Sequence, residues 1–407
     1  MAKYRDLDWE IDRELGRISE DEALGISAPW HRRLRQALAK SRIPRLLWFP
    51  FRLAWRVATV PVITNMPIVQ RIVNWPREVK APWYYRLADA LLTRLVLAPV
   101  LAFIFFGFLV WRTTHPSLAY AVQTPGQYDT YYKEVSIGTQ DRQRIDLWYI
   151  PAVTVDEMVR NPDEALRERR PGVVLVHALG QTNEQYLPLA LRLSQQGYAV
   201  ALVNTRGQCP DGAAVTFGLR EGLDVLAAVN YLREHPNVDP DRIAVIGSGV
   251  GGAAVLHAAA LDHSIAAVCA DDVWPNLESF VAHGLQARYV PTRLATSLYV
   301  MVFETLLRER SADGDLEQVM SRISQPALLI ARATPGSAPA ADVFRLSAQT
   351  SGPHKAILVD PLANPQAASS ENVEKQIQNF LNATMHWEAP QTRTNSKIQR
   401  LLDAQVQ

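Results

Sequence analysis

The stretch VDPDRIAVIGSGVGGAAVL, Val238–Leu256, decides the fold. Arg242–Ile246 is a short apolar, β-branched run of the kind that makes a buried strand. It runs into Gly247-Ser248-Gly249-Val250-Gly251-Gly252, and from Gly251 to Leu261 small apolar residues read as a helix. A strand that turns at once into a helix across a glycine-rich corner is the repeating unit of parallel sheets.

Outward from this unit the alternation continues in both directions. Upstream, YYKEVSIGT (Tyr131–Thr139) and RIDLWYIP (Arg144–Pro151) form a hairpin signal. A strand Gly172–His177, a helix Asn183–Gln196, a strand Ala199–Asn204 and a helix Leu219–Glu234 follow. Downstream come a strand Ile265–Ala270, a helical insertion from Trp274 to Ile323, and a strand Ala327–Ala331. A helix Ala341–Thr350, a strand Lys355–Val359 and a helix Ser370–Leu381 complete the series. This order predicts an α/β architecture, a mostly parallel sheet with helices on both faces. Ligands of such sheets bind beyond the carboxyl ends of the strands.

Residues 131–383 resemble the α/β-hydrolase superfamily, in particular bacterial esterases and serine aminopeptidase-like enzymes. GVVLVH leading into His177-Ala178-Leu179-Gly180 is similar to the family's His-Gly-x-Gly oxyanion segment, and YAVALVNTRGQ (Tyr198–Gln208) to its next strand and Arg-Gly turn. Val238–Leu256 is similar to the strand and nucleophile elbow, and DLEQVMSRISQPALLI (Asp315–Ile330) to the lead into the late strand that usually carries the acid. The resemblance implies an α/β-hydrolase fold with a lid at about 274–323. It assigns His177, Ala178, Gly180 and Val250 to the oxyanion and pocket region.

The same alignment removes the chemistry. The family's elbow reads Gly-x-Ser-x-Gly, its serine held on a sharp turn; here Gly249 stands at that position. Pro335 falls where the acid belongs and Asn364 where the histidine belongs. Without a base bonded to a nucleophile there is no activated hydroxyl, so the expectation is a degenerate member without a triad. A displaced triad is the alternative: Ser248 or Cys209 as nucleophile, His177 or His283 as base, and Asp272 as acid. His235, His263 and His354 precede strands, His257 lies within a helix and His386 beyond the last one, so all five fall away from the strand ends where the site belongs. A third reading takes Gly247, Gly249 and Gly252 as G-x-G-x-x-G, with Asp271 for a ribose, as in dinucleotide-binding folds. The fingerprint usually opens its domain, whereas here two strand-helix units precede it.

No Cys/His cluster has metal-ligand spacing, and no metal or cofactor is expected. Cys209 and Cys269 belong to strands that the family order separates by two others, roughly 14 Å at about 4.8 Å per step, so both are expected as free thiols. In the insertion Tyr289, Tyr299, Met301, Phe303 and Leu306 are candidates to line an apolar pocket.

The N-terminal part differs in kind. The 42 Lys+Arg nearly balance 41 Asp+Glu. Yet Ala23–Arg77 holds ten Lys/Arg and no acid. Residues 43–75 interleave Trp, Phe and Leu with Arg and Pro, which suits either an amphipathic segment on an anionic leaflet or a small helical domain. The aliphatic interleaving argues against a nucleic-acid partner. Leu95–Trp111 (LVLAPVLAFIFFGFLVW) is 17 uncharged residues between Arg94 and Arg112, so a transmembrane helix is expected over 91–112. Arg112 is the last Lys/Arg before Lys133, and this asymmetry expects a cytoplasmic N-terminal region (1–90) and an extracytoplasmic hydrolase-like domain. Residues 384–407 read as a tail. The expected function is that of a single-pass, membrane-anchored pseudoenzyme for binding or assembly, with the bilayer and possible protein partners of either region.

Overall fold

The computed structural model describes residues 83–387 except 118, 154–158, 161–168, 210–212, 285–291 and 367. The basic segment 23–77, Tyr289 and the tail from 388 lie outside the described residues. Two compact units divide the chain, Met1–Leu95 and Val96–Gln407.

The second unit is built on one eight-stranded sheet. Its strands are β1 (Lys133–Gly138), β2 (Arg144–Ile150), β3 (Arg170–Val176), β4 (Ala199–Asn204), β5 (Val238–Ser248), β6 (Ala267–Asp271), β7 (Ala327–Arg332) and β8 (His354–Val359). They lie in the order β1-β2-β4-β3-β5-β6-β7-β8. Both β1 and β2 pair antiparallel, and every pairing from β4 to β8 is parallel. β3, with seven buried residues of seven, is covered on both faces, which is why it reads as a continuous apolar run.

Helices α1 (Trp83–Thr114), α2 (Leu187–Gln195), α3 (Glu221–Arg233), α4 (Val250–Leu261), α5 (Leu277–Gly284), α6 (Thr292–Leu307), α7 (Leu316–Met320), α8 (Ala340–Ala348) and α9 (Ser370–Met385) complete the described elements. The expected helix at Asn183 opens instead as a 3-10 turn, Asn183–Tyr186. Leu187 starts the α-helix proper, with Pro188, which has no N–H to donate, in its first turn. The expected tail begins inside α9, whose last turn buries Met385.

Strand alternation sorts the core into two layers. Val174, Val245, Val268 and Leu329 face α3, α4 and α8, while Val173, Leu175, Ile246, Cys269 and Ile330 face α2 and α9. Burying each such side chain contributes roughly 1.5–3 kcal/mol before chain entropy is subtracted.

The apolar segment expected to cross a membrane is helical within α1, yet among the described residues no helix is long and apolar enough to cross one. From Phe106 onward α1 is a packed helix. Phe106 and Val110 are buried against Tyr299, Val302 and Phe303 of α6. Thr113 shares a hydrogen bond with the Tyr299 hydroxyl.

Candidate functional site

The elbow after β5 keeps its sharp geometry. Gly249 lies at φ 55°, ψ −117°, immediately before α4, and its N–H donates to the Asp271 carbonyl at 2.8 Å. L-residues pay for this conformation and glycine does not. A Cβ at Gly249 would meet only the Ala178 side chain, at 3.6 Å. The flanking glycines have no such room. A Cβ on Gly247 would strike the Gly251 carbonyl, one on Gly251 the carbonyls of Val176 and His177, and one on Gly252 the Val273 side chain at 2.5 Å. Their absent side chains let α4 sit directly on the strands. Packing thus accounts for Gly247 and Gly252 of the G-x-G-x-x-G spacing, whereas the space over its middle glycine, Gly249, is open.

A cavity of about 210 Å³ opens above Gly249, between the ends of β3, β5 and β6 and the lid. Phe217, Trp274, Phe280 and Phe303 form its aromatic wall, with ring centroids 5.0 Å apart for Phe217–Phe280 and 5.9 Å for Trp274–Phe280. Val250, first residue of α4, points an N–H unused by its helix toward this end of the sheet. Leu179 and Ala178 line the opposite side. The Ala178 N–H is occupied, donating to Gln185 Oε1 at 2.7 Å, and Gly180 (φ 74°) forms the exposed turn beyond.

Polar groups at the cavity are few and engaged. Asp272, itself at φ 54°, accepts from the Ala338 N–H at 2.9 Å. Thr216 gives its hydroxyl to Glu221 at 2.8 Å, and Ser311 gives its own to Glu304 at 2.9 Å. Arg310 stands exposed at the rim. No histidine or cysteine lines the cavity among the described residues.

The displaced-triad candidates do not converge. Ser248 follows Ile246 by two residues and therefore faces the α2/α9 side, where Tyr186 hydrogen-bonds it. Asp271 is on that same side, bound bidentately by Arg332 at 2.6 and 2.8 Å; burial raises its pKa, against the opposing effect of Arg332. The His177 ring is buried, bonded to the Ala178 carbonyl at 2.8 Å and accepting the Thr205 N–H at 3.3 Å. Burial lowers its pKa to about 4, so it is neutral at pH 7. His283 packs on Trp274 within the lid, at 5.0 Å, outside the cavity lining. Cys209 and Cys269 are both buried and not joined in a disulfide, and the Cys209 thiol donates to the Asn204 and Thr205 carbonyls.

The other degenerate positions follow the alignment without adding chemistry. Pro335 is exposed on the turn after β7, whose neighbour Gly336 reaches the cavity rim. Asn364 lies among Gln366, Ser369 and Lys375 beyond β8, away from the cavity. Of the expected lid residues that are described, Phe303 alone lines the cavity: Tyr299 packs on α1, and Met301 and Leu306 are about half exposed on α6. One helix turns only a third of its circumference inward, and composition does not say which third.

Sequence reasoning missed the framework holding Phe217. Glu221, fully buried, accepts from the N–H groups of Thr216 and Gly218 at 2.8 and 2.9 Å. This holds Phe217 at φ 55° between them, a conformation rare for an aromatic residue. Arg206 of the Arg-Gly turn is buried between Asp224 (2.7 Å) and Asp141 (2.6 Å). The signal was two acids one turn apart, Glu221 and Asp224, opening a helix after a buried Arg-Gly turn.

Comparison with known proteins agrees with this architecture. A model described as "Alpha/beta hydrolase family" matches residues 173–393, more than half of the chain. The chain is 28% identical over 137 residues to protein Bem46 of Schizosaccharomyces pombe, covering 33% of this chain and 42% of that protein. It is 33% identical over 102 residues to the quorum-quenching protein AidA of Acinetobacter baumannii, covering 24% of this chain and 34% of that one. The chain thus spans less than half the length of either relative. Among solved structures, the Pyrococcus furiosus esterase Pf2001 superposes with a TM-score of 0.53 at 20% identity, covering 67% of this chain and 99% of that one. A puromycin hydrolase superposes at 0.50 with 18% identity, covering 67% and 42%. At these identities the superpositions speak for the fold alone.

Proposed function

The chain belongs to the alpha/beta hydrolase family, and from that membership we propose that it is a membrane-attached, non-catalytic member that binds a largely apolar small ligand over its vacated elbow. The observation that carries this reading is Gly249: the turn that strains a nucleophile is kept, the space for its side chain is open, and the hydroxyl is gone. An aromatic cavity above it remains, ringed by Phe217 and Asp272 in the left-handed region. Residues held in such conformations cluster at ligand-binding and active sites.

Attachment rests on α1. Its turns from Pro99 to Phe105 expose Val100, Leu101, Phe103, Ile104 and Phe105, and a basic segment without acids precedes it in the sequence. In this reading Leu95–Trp111 enters the bilayer, the basic segment lies at the cytoplasmic face, and the hydrolase-like domain lies on the other side. Protein partners of either part would be further occupants of the same non-catalytic role.

A serine-reactive fluorophosphonate tests the loss of catalysis. The wild-type chain is expected to remain unlabelled under conditions that label an active serine esterase. Stoichiometric labelling that disappears in Ser248→Ala would overturn the proposal in favour of a hydrolase with a displaced triad.

A further inference from the structure

The cavity over Gly249 is surrounded by an excess of carboxylates. Asp272 lines it, and both hydroxyls of the lining are turned onto acids behind them. Thr216 donates to Glu221 at 2.8 Å, and Ser311 donates to Glu304 at 2.9 Å and to Glu278 at 3.2 Å. A hydroxyl whose proton is engaged in this way offers a ligand only lone pairs. Asp272 is fixed by its backbone on one side and its carboxylate on the other: its N–H donates to the Ile330 carbonyl at 2.9 Å, and its Oδ1 accepts from the Ala338 N–H at 2.9 Å. Its Oδ2 takes no hydrogen bond or ion pair among the described residues, and Arg332, at the end of β7, is bound to Asp271 instead.

We propose that the ligand of this cavity is a small organic cation, a protonated amine on an apolar body, with its ammonium at Asp272 and its body against the aromatic wall. The proposal rests on the reading of the cavity as a ligand site and gives that ligand its charge. An ammonium brings the N–H donors and the positive charge that Asp272 and the engaged hydroxyls lack. Phe217 is in ring contact with Phe280 and Phe303, at 5.0 and 6.0 Å between centroids, and the electron-rich faces of such rings attract cations. At about 210 Å³ the space is smaller than the roughly 300–1,000 Å³ that drug-sized ligands fill, which suits a body of about one ring. A metal ion fits poorly, because no group of three acidic, histidine or cysteine ligands stands together among the described residues. The features that favour an anion are weaker. The Val250 N–H belongs to a helix end worth about half a charge. The Asn276 amide is neutral, and Arg310, the one cation of the lining, stands exposed at the rim, where water and salt screen it. Glu309 beside it is bound to Arg220.

Three probes of one shape and different charge test this: phenethylamine, phenethyl alcohol and phenylacetate, each titrated calorimetrically at pH 7 into the detergent-solubilised full chain, with detergent alone as the blank. Phenethylamine is expected to bind about tenfold more tightly than the alcohol, as a partly desolvated charge pair should, and phenylacetate least tightly. Asp272→Asn keeps an oxygen for the Ala338 N–H and a residue type that tolerates the left-handed backbone, so the variant is expected to fold. It should weaken phenethylamine about tenfold, to the level of the alcohol, and leave the alcohol unchanged. Equal binding of amine and alcohol to the wild type, or an advantage of the amine that survives in Asp272→Asn, overturns the proposal and leaves the cavity standing as a site for neutral apolar ligands. Tightest binding of phenylacetate overturns it in favour of an anion. If none of the three binds at millimolar concentration, the proposal falls together with the ligand-binding reading of the cavity.

Discussion

The two sides of the sheet's carboxyl edge have fared differently. On the α3/α4 side, over Gly249, the cavity keeps its aromatic wall and its strained corners, but among the described residues no histidine or cysteine lines it. On the α2/α9 side Ser248, Tyr186, Asp271 and Arg332 are crowded together, each bonded to a neighbour, and His177 is bonded in turn to Ala178 and Thr205. Groups with reactive names are therefore abundant within a few residues of the elbow, and strand parity aims them away from the cavity. Reactivity requires a hydroxyl or imidazole to be both present at the cavity and unsatisfied, and on neither face are both conditions met among the described residues.

The comparison is broken most severely at the glycine that seats α4. Gly251→Ala is expected to cost about 3 kcal/mol or more, because its Cβ would meet two main-chain carbonyls that cannot shift without moving β3; urea unfolding measures it. Arg332→Ala is expected to cost about 3 kcal/mol, since it leaves Asp271 buried without its counter-charge. Burial already raises the pKa of Asp271. Without Arg332 the carboxyl stays protonated to still higher pH, so the loss should be smaller at pH 5 than at pH 8.

Acid titration probes the same face more gently. His177 is held neutral by burial, with its pKa lowered to about 4 from 6.5. Between those values the unfolded chain binds more protons than the folded one. The contribution is complete above pH 6.5 and is lost as pH falls toward 4, amounting to about 2 kcal/mol between pH 7 and 5. The urea midpoint of His177→Gln should accordingly fall less on acidification than that of the wild type. The smallest effect belongs to the cavity side. Gly249→Ser should cost only about 1 kcal/mol, for a left-handed conformation with open space around it. It should restore no esterase activity with p-nitrophenyl esters, because among the described residues no histidine stands at the cavity to take the hydroxyl's proton.

Much of this was legible beforehand. The order of strands and helices from Tyr131 onward, the elbow and the empty triad positions follow from periodicity and from glycine, whose signals are local. The fate of Ser248 was legible too, since it lies at even spacing from Ile246, on the face opposite the elbow. Phe217 was not legible. Its left-handed backbone is held by Glu221, four positions away, through bonds whose value depends on complete burial. Leu95–Trp111 was legible only in part for a similar reason: hydropathy counts apolar residues and does not know that Phe106 and Val110 are covered by α6.

By itself, then, the sequence determined the α/β alternation, the family and the absence of a serine at the elbow, because these depend on residue type and spacing along the chain. Only the tertiary structure decided that His177 and Asp271 are bonded within the fold, that Phe303 lines the cavity while Met301 faces outward, and that α1 is joined to the lid. These outcomes turn on which face meets which neighbour across long separations, and burial and hydrogen bonding fix that choice only when the chain has closed on itself.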